Sequence, residues 1–175
     1  PDGDQIVYSE PPMNGWGGIL TVPAKGGGLP TQITPYGRDP YWSPDGSKIL
    51  TSSTGHPSPF EERGQGDKSP KVVVWNPETG KQIINIPQPT PATAAFSPDG
   101  TQIVTACRGV ITWWDATTGE KLESKREPLI RTEVVFSRTG RYLVVMQPGE
   151  PAELWDTEKR TRIKDLDVGE TYRSF

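Results

Sequence analysis

The tetrapeptide Ser-Pro-Asp-Gly stands at 43–46 and again at 97–100, and a chain that repeats a turn of this kind is built from repeated units. Pro1-Asp2-Gly3 is a truncated copy, so the chain reads as an internal piece of a longer sequence, and Ser-Arg-Thr-Gly at 137–140 is a degenerate copy. Each copy leads into a short β-type run: Gln5-Ile6-Val7-Tyr8, Lys48-Ile49-Leu50-Thr51, Gln102-Ile103-Val104-Thr105 and Tyr142-Leu143-Val144-Val145. An aromatic residue precedes the last three copies, at Trp42, Phe96 and Phe136. A second signal is interleaved: VVVWNPETG at 72–80, VITWWDATTG at 110–119 and AELWDTEKR at 152–160, whose tryptophans at 75, 114 and 155 are 39 and 41 residues apart.

The turn chemistry explains both signals. In Ser-Pro-Asp-Gly, proline presets φ, aspartate fits the next position, and glycine takes the left-handed conformation that closes a hairpin. In the second signal Asn76 or Asp115 can accept from the backbone two residues on, and Gly80 or Gly119 supplies the positive φ. Each unit therefore carries two defined hairpin turns. A generic sandwich would not repeat one hairpin pair about every 40 residues.

These stretches resemble the WD-repeat β-propeller family, through FSPDGTQIVTAC at 96–107, ITWWDATTGEKL at 111–122 and ELWDTEKRTRI at 153–163. The first stretch, GGLPTQITPYGRDPYWSPDGSKIL at 27–50, is similar to the TolB-type propeller repeat of bacteria. The resemblance covers nearly the whole chain and implies an all-β fold of four-stranded antiparallel blades, strands a to d from inside out. No Gly-His dipeptide opens a repeat, and the aspartate that usually precedes the Trp-bearing strand is missing. The Asp–His–Ser/Thr–Trp network of eukaryotic WD repeats is therefore not expected, and a bacterial origin is the reading.

Alternation places strand a at 39–43, 93–97, 133–137 and 171–175, and strand b at 5–9, 48–52, 102–106 and 142–146. Strand c falls at 18–22, 72–76, 110–115 and 152–156, and strand d at 31–34, 82–86, 121–124 and 162–166. Residues 120–127 are rich in helix formers, yet their place in the repeat makes them a strand. The expectation is one domain over 1–175 with four blades, the first completed by the C-terminal strand 171–175. Four blades are few for the family. A larger ring, closed by further sequence or by self-association with a second copy, is expected ahead of a closed four-blade ring.

Composition narrows the function. Net charge is −3, and residues 1–119 carry 8 basic and 11 acidic groups against 11 of each in 120–175, so no block is basic enough for a nucleic-acid footprint. No apolar run approaches the roughly 20 residues of a membrane span, so no membrane insertion is expected. One histidine, His56, and one cysteine, Cys107, exclude a Cys/His metal cluster and an internal disulfide. Gly26-Gly27-Gly28 has no helix after it to cradle phosphate, and Asp2-Gly3-Asp4 is too short for a calcium loop. No Ser/His/Asp or Cys/His set is visible, so no catalytic residue and no cofactor is expected.

In a propeller the a–b and c–d turns lie on one face and the d–a and b–c loops on the other, which is the usual binding face. The 54–71 b–c loop, TGHPSPFEERGQGDKSPK, is longer than its counterparts and accounts for the 54-residue spacing between Asp45 and Asp99. It is either a recognition loop or an insertion without a role. Partner-binding side chains expected on this face are Trp16, Tyr36, Arg38, His56, Phe60, Arg63, Arg108, Arg131 and Gln147, of which arginine, tyrosine and tryptophan are types enriched in interface hot spots. The segment 10–17 is read as one of the loops of this face. Trp75, Trp114 and Trp155 are expected to be buried at equivalent blade positions, with the role of Trp113 open. The function expected is a non-enzymatic platform for protein partners. The alternatives are an accessory propeller of a larger enzyme or transport assembly, or a small-ligand or glycan binder at the central channel.

Overall fold

A computed structural model describes residues 3–13, 16–34, 38–53, 69–126, 133–146 and 150–166. The described elements are all strands: β1 Gln5–Met13, β2 Trp16–Pro23, β3 Thr31–Thr34, β4 Arg38–Trp42, β5 Ile49–Ser53, β6 Lys71–Trp75, β7 Gln82–Pro87, β8 Thr93–Phe96, β9 Gln102–Cys107, β10 Val110–Asp115, β11 Lys121–Arg126, β12 Glu133–Phe136, β13 Tyr142–Met146, β14 Ala152–Asp156 and β15 Thr161–Leu166. They form one three-stranded sheet, β1-β2-β3, and three four-stranded sheets, β4 to β7, β8 to β11 and β12 to β15. Every paired strand is antiparallel to its sequence neighbour. The expected strands agree within a few residues, and the sixteenth, 171–175, lies outside the described residues. The chain divides into two compact units, Pro1–Ala92 and Thr93–Phe175.

The register repeats. Ile49 pairs with Trp75, Ile103 with Trp114 and Leu143 with Trp155, each at the third position after its turn glycine, and Ile6 pairs with Val22 at the same place. One residue is bulged out of strand d immediately after this pair: Ile83 in β7, Leu122 in β11 and Ile163 in β15. All three are exposed. A bulge on an outermost strand breaks its row of free backbone groups and twists the edge, which discourages pairing with another sheet. The unbroken apolar run in β6 is buried throughout, as in a strand covered on both faces, whereas β7 alternates. The polar Lys121–Arg126 run is a strand because its backbone completes the β10 ladder, which overrides helix propensity.

Each unit has its own core. In the first, Ile19 and Ile33 pack with Ile49, Val73 and Trp75, flanked by Val7 and Trp42. In the second, Val104, Ile111 and Trp113 pack against Leu143, Val145 and Trp155, with the two indoles 6.4 Å apart between centroids.

Three expectations need correction. Trp75 and Trp155 are buried as expected, but Trp114 is half-buried and the fully buried indole is Trp113. Adjacent residues on a strand face opposite ways, and Trp113 faces the core shared by the third and fourth sheets. The segment 10–17 is not a free loop: β1 and β2 extend to a Met13–Trp16 pair, with a register shift between Glu10 and Met13 that accommodates Pro11 and Pro12. Part of the hydrogen-bond network judged absent does form. Trp75 Nε1 donates to Thr51 Oγ1 and Trp114 Nε1 to the equivalent Thr105 Oγ1, each at 2.9 Å. In the fourth sheet the equivalent residue is Val145, and Trp155 Nε1 donates to Glu153 instead, at 2.9 Å.

Candidate functional site

The two ends of each sheet differ in how their polar groups are used. At the turn end the side chains satisfy the turns themselves. Ser43 Oγ donates to Asp45 at 2.6 Å and accepts from Lys48 N at 2.9 Å, and Asp45 accepts from Ser47 N at 3.0 Å. Ser97, Asp99, Thr101 and Gln102 repeat this arrangement at 2.5 to 3.0 Å. These donors stabilise the carboxylates: the Ser43 hydroxyl and Ser47 bring Asp45 to about 2, and the Ser97 hydroxyl and Thr101 lower Asp99. In the degenerate copy Thr139 replaces the aspartate, and Ser137 Oγ still accepts from Tyr142 N at 3.0 Å. The c–d turns are closed likewise by Asn76 and Asp115, each accepting from two backbone amides.

The loop end is irregular. In the second sheet, Arg38 pairs with Ser52 at the end of β5 from which the 54–68 segment departs. The next residue, Asp39, has φ 49° and precedes Pro40, and its carboxylate accepts from Ser52 Oγ at 3.1 Å. A left-handed non-glycine residue before proline is a strained backbone. Gln88 N donates to Pro70 O at 2.8 Å and closes the base of the same segment. The Gln88 side chain is buried, and its Nε2 has no hydrogen-bond partner among the described residues.

In the third sheet Arg108 and Gly109, at φ 44° and 71°, form the two-residue connection between β9 and β10. Two successive positive φ values are those of a type I′ hairpin, a turn that prefers Asn-Gly. Arg108 is exposed there. Beside it Arg126, opposite Val110, is exposed as well. Arg126 was not among the expected site residues; β11 runs two residues past its expected end at 124 and brings it beside the Arg108 turn.

Of the other expected site residues, Trp16 enters β2 by its backbone opposite Met13, and Arg38 likewise begins β4. Tyr36, His56, Phe60, Arg63, Arg131 and Gln147 lie outside the described residues. Cys107 is buried beside the Arg108 turn, as a small apolar residue. No group of three or more potential metal ligands occurs among the described residues.

No protein-family model matches the chain, and no curated protein matches it. Among solved structures it is similar to the crystal structure of the RRP9 WD40 repeats, at 17% identity and a TM-score of 0.61, over 76% of this chain and 38% of that one. It is similar to the structure of U3-55K at 17% identity and 0.61, over 76% of this chain and 39% of that one. The chain thus spans under two fifths of the length of either. Its antiparallel sheets have the fold of a WD40-repeat β-propeller.

Proposed function

We propose that the chain is a non-enzymatic propeller scaffold that binds a protein partner through the d–a and b–c loop end of its sheets. The observation that carries this reading is the asymmetry between the two ends. The turn end consumes its serine, threonine and aspartate groups in its own hydrogen bonds. The loop end leaves Arg108 and Arg126 exposed and a buried Gln88 donor without a partner among the described residues. Strained backbone and uncommitted donors concentrate at binding sites. The proposed surface comprises Arg108, the 54–71 segment with His56, Phe60 and Arg63, and Trp16, Tyr36, Arg38, Arg131 and Gln147.

The first repeat remains, in this reading, of the bacterial TolB-like type, on the Pro40–Gly46 stretch. The first sheet is proposed to be completed by 171–175, from the same chain or from a second copy closing a larger ring. Ile6 supports this: it is 52% exposed, whereas its register equivalents Ile49, Ile103 and Leu143 are fully buried. Light scattering on the chain with and without 170–175 tests the exchange between copies, which predicts a species near twice 19.2 kDa that is lost on truncation.

The functional reading is tested by affinity capture of a partner followed by titration with variants. Deleting 57–68, or reversing charge with Arg108→Glu and Arg126→Glu, should abolish or sharply weaken binding while the thermal midpoint stays within a few degrees. Full binding by all three variants would reject the loop end as the site.

A further inference from the structure

Between the first two sheets, at the turn end and thus away from the proposed loop surface, lies a cavity of about 410 Å³. Its walls include Gln5, Thr21 and Thr31 of the first sheet and Trp42, Asp45 and Glu78 of the second. That volume is within the range of about 300–1,000 Å³ of ordinary ligand sites. Its two charged wall residues among the described residues are both acidic, and no described lysine or arginine lines it.

The second unit contains the counterpart of this place, and there an arginine side chain spans it. Register equivalence sets Thr21 and Thr31 against Trp113 and Glu123, since each pair lies one step before the Val22 or Trp114 position. The turns set Ser47 against Arg141, Glu78 against Glu158 and Gly80 against Arg160. Arg160, at φ 52° where the Asn76 and Asp115 turns have Gly80 and Gly119, reaches across to the third sheet. Its guanidinium donates to Glu123 at 2.8 Å and lies 5.7 Å from the centre of the Trp113 ring. Arg141 donates to Glu158 at 2.6 Å and to Asp156 at 2.9 Å.

In the first unit both arginines are gone and the acid remains. Gly80 has no side chain to send across, and an added Cβ would stand 3.1 Å from the Ile33 carbonyl oxygen. Ser47 is turned to Asp45, at 2.7 Å between the side chains. Glu78 keeps the place of Glu158, and no cation pairs with it among the described residues. The buried indole N–H of Trp42, also in the wall, has no acceptor among the described residues. One unit thus supplies from its own chain the guanidinium groups that the other lacks.

We propose that the cavity between the first two sheets is a docking slot for an arginine side chain presented by a protein partner. Glu78 receives the guanidinium, which carries the planar array of donors suited to a carboxylate, while Asp45, whose oxygens already accept within its own turn, adds negative charge to the wall, and Trp42 offers an aromatic face. A peptide carbonyl beside the arginine is a suitable acceptor for the Trp42 N–H, which favours an arginine within a chain over a free guanidinium ion. The Ser43 and Ser47 donors keep Asp45 ionised throughout the neutral range.

The test is a nuclear magnetic resonance titration of the full chain with the peptide acetyl-Gly-Arg-Gly-amide. The same peptide with citrulline, a neutral isostere, and with lysine serve as controls. The expected result is saturable movement of the Trp42 indole and Gly46 amide signals with the arginine peptide, at a Kd on the order of 1–10 mM for so small a probe. The citrulline peptide should leave both signals in place, and lysine should bind more weakly. Glu78→Gln, on an exposed turn, should weaken binding about threefold to tenfold. Ser47→Arg, which restores the counterpart of Arg141, should compete for Glu78 and weaken it as well. Unchanged dispersion of the remaining signals shows that both variants fold. Equal movement with citrulline, or saturable binding unaffected by either variant, overturns the proposal. So does no saturable movement up to roughly 50 mM arginine peptide. Because the slot lies at the turn end, these outcomes are independent of the loop-end deletions.

Discussion

Leu143 and Ile6 occupy the same register position in two repeats, and the structure predicts opposite sensitivities for them. Leu143 is fully buried in the core of the second unit, and Ile6 is 52% exposed on β1. Truncation to alanine removes three carbons in each case, about 2.4 kcal/mol of transfer free energy at roughly 0.8 per methylene. At Leu143 the surrounding Trp155 and Val145 can collapse only in part, so a cavity cost is added, and Leu143→Ala should destabilise by about 3–4 kcal/mol. At Ile6 about half the transfer term applies and no closed cavity forms, so Ile6→Ala should cost about 1 kcal/mol. The assay is urea unfolding followed by tryptophan fluorescence, with the slope checked to be the same in both variants. Equal losses in the two variants, or a larger loss at Ile6, would refute the reasoning.

Three further outcomes are expected. Thr51→Val leaves the buried Trp75 N–H without its acceptor and should cost about 1–3 kcal/mol in the same assay, whereas Thr→Val at an exposed site should be nearly neutral. Arg108→Asn relieves a left-handed arginine in a turn that favours Asn-Gly and should stabilise by up to about 1 kcal/mol, read as a rise in urea midpoint. Asp45 and Asp99 have lowered folded-state values, so their contribution is present above the unfolded value of 3.8 and is lost as pH falls, for Asp45 through about 2. Thermal midpoints measured from pH 5 down to pH 2 should therefore fall less steeply in Asp45→Asn and Asp99→Asn than in the wild type.

Much of the fold was legible because the informative residues are turn residues. Serine, proline, aspartate and glycine act within four positions, and their chemistry does not depend on distant packing, so the hairpins and the strand order could be placed from Ser43–Gly46 and Ser97–Gly100. What depends on neighbours was not legible. Trp113 and Trp114 are adjacent and chemically identical, and only the face on which the fourth sheet packs decides which one is buried. Pro11 and Pro12 signalled a loop, but a bulge lets β1 continue past them. Arg108 was found at the site because a b–c turn follows directly from two adjoining β runs. Arg126 and Arg160 were not, since their importance comes from what lies across the sheet or in the next one: Val110 in the first case, Glu123 and Trp113 in the second.

The repeated register underlies the fold, the paired truncations and the arginine slot alike, and cross-strand nuclear Overhauser contacts measure it most directly. The account predicts contacts linking Ile6 with Val22, Ile49 with Trp75, Ile103 with Trp114 and Leu143 with Trp155, one pair per sheet at the same distance from the turn glycine. A slip of one residue in any sheet would turn its buried side chains to the opposite face, so contacts offset to the neighbouring residue in even one of the four would contradict the account.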